Sequence, residues 1–135
     1  MDLGLSGKTV IVTGASKGIG LAVARAFVAE GARVGLVARG AEALDAAQAA
    51  LRSLGGEVAV VAADLRAADQ AEQAVAFIEA RLGPVDVLVN SAGAARKRAP
   101  ETLDAAAWRE GLDAKFFTYI LSLIHISEPT RLRRI

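Results

Sequence analysis

The glycine-rich segment TGASKGIG, at residues 13–20, constrains the fold of this chain more than any other feature of the sequence. It directly follows residues 8–12, which are β-branched from Thr9 onward and predict a short buried strand, and it leads into residues 21–28, which are good helix formers. Its spacing, Gly14-x3-Gly18-x-Gly20, differs from both the G-x-G-x-x-G dinucleotide fingerprint and the GK[ST] phosphate loop. A strand, a glycine turn and a helix in this order predict the opening of a βαβ unit.

The alternation of strands and helices continues along the chain. Gly31 suits a left-handed cap at the end of the first helix, and further strands are predicted over residues 33–38, 57–62 and 85–89. Two apolar stripes at helical spacing predict the helices between them, namely Leu44, Ala47, Leu51 and Leu54, then Ala71, Ala74, Val75, Ile78 and Leu82. A last helix is predicted from about residue 103 to residue 120. This pattern indicates an α/β fold, a parallel sheet covered on both faces.

Composition excludes several classes of protein. The chain has 135 residues, enough for one domain; 53% are hydrophobic and 23% charged, which argues against disorder. It has no cysteine, so disulfides and thiolate metal sites are excluded. No apolar run approaches the roughly 20 residues of a membrane span, and the first residues lack the pattern of a signal peptide. We therefore expect a cytoplasmic protein without a membrane partner.

The charge pattern gives no sign of a nucleic-acid partner. The net charge is +1, but without residues 121–135 there remain 13 basic and 14 acidic residues. The local basic run at residues 96–98 is interpreted as a solvated or anion-facing loop in preference to a nucleic-acid contact.

The glycine turn has the properties of a phosphate site. The N-terminus of the helix that starts within it offers unpaired N–H groups and a partial positive charge, and glycine lets a pyrophosphate approach the backbone. Arg39 follows the second strand, where a carboxylate would receive the ribose hydroxyls of NAD(H), so a 2′-phosphate is the better match and Lys17 adds a second cation. NADP(H) is therefore favoured over NAD(H). The alternatives are that the glycine segment is a tight turn that binds no ligand, and that Arg39 and Lys17 are merely exposed cations.

Three stretches together resemble the short-chain dehydrogenase/reductase family over about residues 5–120. They are the TGASKGIG segment, which matches the family's TGxxxGxG loop, Asp64-Leu65, and Asn90-Ser91-Ala92-Gly93, which matches NNAG except at Ser91. The resemblance implies a Rossmann-like, doubly wound sheet in three α/β/α layers, here truncated after about four strands. It also implies a nicotinamide cofactor and hydride transfer with a small carbonyl or alcohol substrate, in a full-length enzyme that is a homo-oligomer.

The resemblance assigns cofactor roles position by position. With Gly14 and Gly20 forming the turn, the phosphate and ribose path is expected along Ser16, Lys17, Gly18 and Ile19. Arg39 is expected at the 2′-phosphate, Asp64 and Leu65 beside the adenine, and Asn90, Ala92 and Gly93 at the sheet edge near the adenosine-side ribose. For Asp64 a helix-capping role is an equal alternative, and the small residues after Asn90 could reflect close packing alone. No metal ligands are expected.

The chain departs from the family where the chemistry is expected. The family uses a serine, a tyrosine and a lysine four residues after the tyrosine, whereas the sole tyrosine here, Tyr119, has Leu123 at that place. Lys115 stands where the family usually has an asparagine, and is as readily a surface residue. We therefore expect no catalytic residue within these positions and an inactive chain.

The texture of the sequence changes at residue 121. Residues 121–135 contain the sole histidine and a basic ending without strand or helix pattern, so we interpret residues 1–120 as the N-terminal part of a dinucleotide-binding domain and the rest as a non-native read-through segment. An authentic divergent segment is the alternative. Two further functions stay open: a non-catalytic dinucleotide-binding module, and an interaction protein in which the glycine turn binds nothing.

Overall fold

The computed structural model describes residues 1–93 and 99–117, with the side chains of residues 115–117 left aside. Strands and helices alternate as β1 (Thr9–Thr13), α1 (Gly18–Ala29), β2 (Arg33–Ala38), α2 (Ala41–Arg52), β3 (Val58–Ala62), α3 (Ala68–Leu82) and β4 (Val87–Asn90). A 3₁₀ turn (Pro100–Thr102), helix α4 (Ala105–Gly111) and a π-helical segment (Leu112–Phe117) follow. The predicted alternation is confirmed.

The four strands form one parallel sheet in the order β3-β2-β1-β4. In its register Ile11 lies beside Gly35 of β2 on one side and beside Leu88 of β4 on the other. The chain steps outward from β1 to β3 and then crosses back to place β4 on the opposite side of β1. This reversal of direction next to β1 is the topological switch point at which open α/β sheets bind ligands.

Helices cover both faces of the sheet. On one face, Val10, Val12 and Leu36 pack in a single buried cluster with residues of α1 and α2. On the other face, Ile11 and Val37 share a second cluster with α3. Successive side chains of a strand point to opposite faces, so a strand covered on both sides reads as a continuous apolar run, as β1 does. The result is the expected three-layer α/β/α arrangement.

The apolar stripe predicted for α3 is confirmed, because all five of its residues are buried. The stripe on α2 is correct for Leu44, Ala47 and Leu51, but the prediction for Leu54 is wrong. The helix ends at Arg52 and Leu54 is 56% exposed, because Gly55, with φ of 86°, already turns the chain toward β3.

The long helix predicted after residue 103 is interrupted. Leu103 is extended, and Asp104 caps α4 by accepting a hydrogen bond from the N–H of Ala107 at 2.8 Å. The helix then widens into the π-helical segment. Tyr119, the basic run at residues 96–98 and residues 121–135 lie outside the described residues. Over the part of the chain that is described, no helix is both long and apolar enough to cross a membrane.

Candidate functional site

A cleft of about 970 Å³ lies at the carboxyl ends of the strands. Its walls bring together nearly all the residues predicted to contact a cofactor: Gly14, Ser16, Lys17, Gly18, Ile19, Gly20, Arg39, Asp64, Leu65, Ala92 and Gly93. These residues follow the carboxyl ends of all four strands, so only the fold brings them together. Asn90 does not line the cleft but lies just below it, at the end of β4.

The glycine turn, residues 14–20, is shaped by close backbone packing. Gly14 has φ of 66°, and a Cβ there would lie 2.7 Å from the Cα and N atoms of Ala92. A Cβ on Gly20 would collide with the carbonyl oxygen of Gly14. Both positions therefore exclude any side chain, because the obstructing atoms belong to the backbone.

Gly18 differs from these two glycines, since its φ of 61° is also positive but no atom lies within 4 Å of its Cβ position. It is the first residue of α1, and its predecessor Lys17 forms no side-chain capping hydrogen bond. The helix N-terminus thus presents its first N–H groups to the cleft with no side chain over them. Lys17 and Ile19 are exposed beside it, Ile19 to 80%.

A buried threonine joins the turn to β4. Thr13 is 1% exposed, and its hydroxyl accepts hydrogen bonds from the N–H groups of Ser91 and Ala92, both at 3.2 Å. The same hydroxyl lies 3.4 Å from the carbonyl oxygen of Val89, to which it donates. Thr13 therefore holds the carboxyl ends of β1 and β4 in one arrangement. Sequence reasoning gave it no role, although a hydroxyl at the end of a buried strand was a usable signal.

Asn90 has a buried side-chain oxygen for which the described structure provides no hydrogen-bond donor. A buried amide oxygen without a partner is costly and calls for a donor from water, from another part of the protein or from a ligand. The residues after it are half-buried or exposed at the rim of the cleft. The side chain of Ala92 packs against the second core cluster, which is consistent with close packing at that position.

Asp64 is bound by a neighbouring arginine. Nε of Arg66 donates to both carboxylate oxygens of Asp64 (3.0 and 3.2 Å), Nη2 of Arg66 donates to Oδ2 at 2.8 Å, and the backbone N–H of Arg66 donates to Oδ1 at 3.0 Å. These hydrogen bonds, aided by the nearby charge of Arg39, lower the pKa of Asp64 to about 2. The helix-capping interpretation of Asp64 is wrong, because Ala67 is the N-cap of α3 and no side chain caps that helix.

Arg66 was missed, although a basic residue two positions after the predicted acid was visible in the sequence. The opposite wall of the cleft was missed as well. This α4 wall consists of Leu103, Ala107, Trp108, Glu110, Gly111, Leu112 and Ala114. Apart from Glu110 it is apolar, and it remains open to solvent, with Trp108 63% exposed. Lys115 belongs to the π-helical segment, and its side chain lies outside what the structure describes, so its role stays a prediction.

The parallel sheet with helices on both faces and a glycine turn at its switch point defines a Rossmann-like α/β domain. The cleft at the strand ends is where such domains hold a nucleotide. The chain belongs to the short chain dehydrogenase family, whose family model matches residues 8–128. The resemblance stated from the motifs is thereby confirmed, and with it membership of a family of NAD(P)-dependent oxidoreductases.

Individual relatives agree with this membership. A short chain dehydrogenase of Pseudocercospora fijiensis is 47% identical over 92 residues, covering 68% of this chain and 30% of that protein. Gluconate 5-dehydrogenase of Gluconobacter oxydans is 38% identical over 117 residues, covering 84% and 46% respectively. The structure of L-sorbose reductase from Gluconobacter frateurii with NADPH and L-sorbose matches with a TM-score of 0.91 at 31% identity, covering 99% of this chain and 51% of that one. The chain spans about half, or less, of the length of these proteins.

Proposed function

We propose that this chain is the cofactor-binding part of an oxidoreductase that transfers hydride between NADP(H) and a small carbonyl or alcohol compound. The observation that carries the proposal is the convergence of an uncapped helix N-terminus, Arg39 and Asp64 on one cleft at the switch point of the sheet. Each feature alone can be explained without a bound ligand. Their meeting from distant parts of the sequence favours a single extended ligand that has both phosphate and nucleoside groups.

The residues of the cleft fit a dinucleotide in order. The open surface at Gly18 leaves room for a pyrophosphate against the first N–H groups of α1, and Ser16, Lys17 and Ile19 flank that path. Asp64 and Leu65 would border the adenine. The Asn90 side chain, with Ala92 and Gly93 above it, would support the ribose at the sheet edge. When bound, the cofactor supplies the hydride donor or acceptor that no side chain can provide.

A preference for NADP(H) is supported by the charges at the end of β2. Arg39 is exposed and lines the cleft, and within the described residues it forms no hydrogen bond or ion pair. A free guanidinium is well suited to a phosphate, which it can bind with two parallel hydrogen bonds. Lys17 lies on the same cleft. The matching L-sorbose reductase structure contains NADPH, which is compatible with this preference.

Catalysis by these 135 residues is not expected. Proton exchange with a carbonyl or alcohol in this family depends on a tyrosine and a lysine four residues later, and Tyr119 is followed at that distance by Leu123. We therefore expect binding without turnover. A non-catalytic dinucleotide-binding module is the alternative that this sequence feature favours, and a complete coding sequence with the tyrosine–lysine pair would decide against it.

Several broader expectations accompany the proposal. We keep the division into residues 1–120, a dinucleotide-binding part, and 121–135, a non-native segment. A homo-oligomeric full-length enzyme, a cytoplasmic location and the absence of nucleic-acid or membrane partners likewise remain predictions.

Two glycine variants test the proposed cofactor site. Gly18 and Gly4 have similar φ angles, 61° and 67°, and neither has an atom within 4 Å of its Cβ position. Alanine at either position should cost a similar free energy of unfolding, about 1–2 kcal/mol, because both backbones are left-handed. Only Gly18→Ala puts a methyl group into the cleft. We expect Gly18→Ala to weaken NADPH binding at least tenfold and Gly4→Ala to leave it unchanged.

Binding is measured by titrating NADPH against the fluorescence of Trp108, the sole tryptophan, and by the rise in melting temperature. At a concentration of 100 times the dissociation constant, the cofactor should stabilise the protein by about 2.7 kcal/mol. If saturating NADPH leaves both signals of the unaltered chain unchanged, the cleft is not a cofactor site and the glycine turn is only a turn. If NADPH and NADH bind equally, the cofactor site stands but the preference does not.

A further inference from the structure

The acid at the adenosine end of the cleft raises an electrostatic question. Asp64 lies close enough to Arg39 for the guanidinium charge to lower the pKa of the carboxyl group. A free carboxylate in this place would attract Arg39 and would repel the 2′-phosphate of NADP(H). The proposed preference for NADP(H) therefore requires that the charge of Asp64 be compensated by something other than Arg39.

Arg66 has the geometry to provide this compensation. Both oxygens of Asp64 accept hydrogen bonds from its guanidinium, at 2.8–3.2 Å, and Oδ1 also accepts from its backbone N–H. Such a two-pronged pairing satisfies the carboxylate more completely than a single contact does. Arg39 does not take part in this pairing. One guanidinium is thus occupied by the acid, while the other remains available in the same cleft.

We propose that Arg66 is a positioning residue for cofactor preference: by holding the Asp64 carboxylate, it leaves Arg39 available for the 2′-phosphate of NADP(H). This inference rests on the proposed function of the cleft. It assigns Arg66 an indirect role, since its guanidinium acts through Asp64. The acids Glu110, in α4, and Asp113, in the π-helical segment, also interact electrostatically with Arg66.

The test compares the dissociation constants of NADPH and NADH, because the two cofactors share the adenine and differ only in the 2′-phosphate. Removing Arg66 with Arg66→Gln should reduce the preference for NADPH about fivefold, the size expected for one exposed charge pair. Arg81→Gln removes the same charge from a residue that stacks on Phe77 at 3.7 Å and does not line the cleft. It should leave the preference unchanged.

A double variant separates this role from a general loss of positive charge. In Asp64→Asn/Arg66→Gln the acid that Arg66 holds is also gone, so we expect the preference for NADPH to return to that of the unaltered chain. The variant Arg66→Lys keeps the charge but loses the two-pronged pairing. Its preference for NADPH should lie between that of Arg66→Gln and that of the unaltered chain. Circular dichroism of each variant verifies that its fold is unchanged; all these substitutions are at exposed or half-buried side chains.

Distinct results overturn the two proposals. If the unaltered chain binds neither cofactor, the proposed function fails and this inference fails with it. If the unaltered chain prefers NADPH but Arg66→Gln weakens both cofactors by the same factor, the inference alone is wrong. The same holds if the double variant fails to recover the preference, because then Arg66 does not act through Asp64.

Discussion

The two walls of the cleft are built in different ways. The sheet side, with the glycine turn, stands on side chains that are almost completely buried, such as Val12 and Leu36 at 0% exposure. The α4 wall has no buried residue, and Leu112 remains 45% exposed. One wall is therefore held by a packed core and by backbone contacts, whereas the other consists of a short helix that leaves its apolar side chains open. This contrast indicates that the sheet side determines the shape of the cleft.

The largest expected effect comes from the same truncation in the core behind the sheet side and in the α4 wall. Leu36→Ala removes a fully buried side chain from the middle of β2 and should lower the free energy of unfolding by about 2–5 kcal/mol. Leu112→Ala removes a half-exposed one and should change it by no more than about 0.5 kcal/mol. Denaturant unfolding followed by circular dichroism measures both. Equal costs would show that the α4 wall is packed as firmly as the sheet, and the contrast would be lost.

The same contrast accounts for what could be predicted from the sequence. The bounds of β2 and the stripe on α3 follow from residues that must be buried, so local patterns were sufficient. The glycine turn was equally readable, because only glycine fits its backbone contacts. The α4 region has no buried residue to impose a period, and its 3₁₀ turn, cap and π-helical segment were not predicted. Leu54 was wrongly assigned to the apolar stripe of α2, because its spacing fits the stripe although the helix ends at Arg52.

The residues of the candidate site likewise divide into those that the sequence predicted and those that it did not. Motifs identified the residues that lie at the ends of predicted strands, since the carboxyl ends of parallel strands meet at one edge. They could not identify contacts that depend on how two strand ends are joined. Thr13 gains its role only when β4 comes to lie beside β1, and Arg66 only when its guanidinium turns back to Asp64. The Thr13 contacts depend on tertiary structure. The Asp64–Arg66 pairing is local, but the sequence does not specify which way an exposed arginine side chain turns.

An intermediate effect is expected at the junction between β1 and β4. Thr13→Val has nearly the same shape but removes the acceptor for two N–H groups in a buried position, which should cost about 1–3 kcal/mol of unfolding free energy. Thr102→Val is the matched control, because the hydroxyl of Thr102 donates one exposed hydrogen bond to the carbonyl of Ala99. Its cost should stay within about 0.5 kcal/mol.

The junction also positions the rim of the cleft, so Thr13→Val should weaken NADPH binding while Thr102→Val leaves it unchanged. Titrating both variants with NADPH at a temperature where each is fully folded separates binding from stability. If Thr13→Val is as stable as the unaltered chain, the hydrogen bonds to Ser91 and Ala92 do not hold the strand ends together. The carboxyl edge would then depend on the glycine contacts alone.

The smallest expected effect lies at the open end of the cleft, at Asp64. The hydrogen bonds from Arg66 lower the pKa of Asp64 from 3.8 to about 2, so the folded protein favours the ionised carboxylate more than the unfolded chain does. The stabilisation is therefore complete above pH 3.8 and is lost as the pH falls toward 2. Because the pair is exposed to solvent, Asp64→Asn should lower the melting temperature at pH 7 by only about 2–4 °C.

The pH dependence distinguishes this ion pair from a general effect of the substitution. The difference in melting temperature between the unaltered chain and Asp64→Asn should be constant from pH 7 to pH 5 and should shrink below pH 4, since the acid then becomes neutral in the unaltered chain as well. High salt at pH 7 should reduce the same difference by screening the pair. A difference that persists unchanged at pH 3 would mean that Asp64 stabilises the fold without its charge. The charge of Asp64 would then contribute nothing to stability at the open end of the cleft.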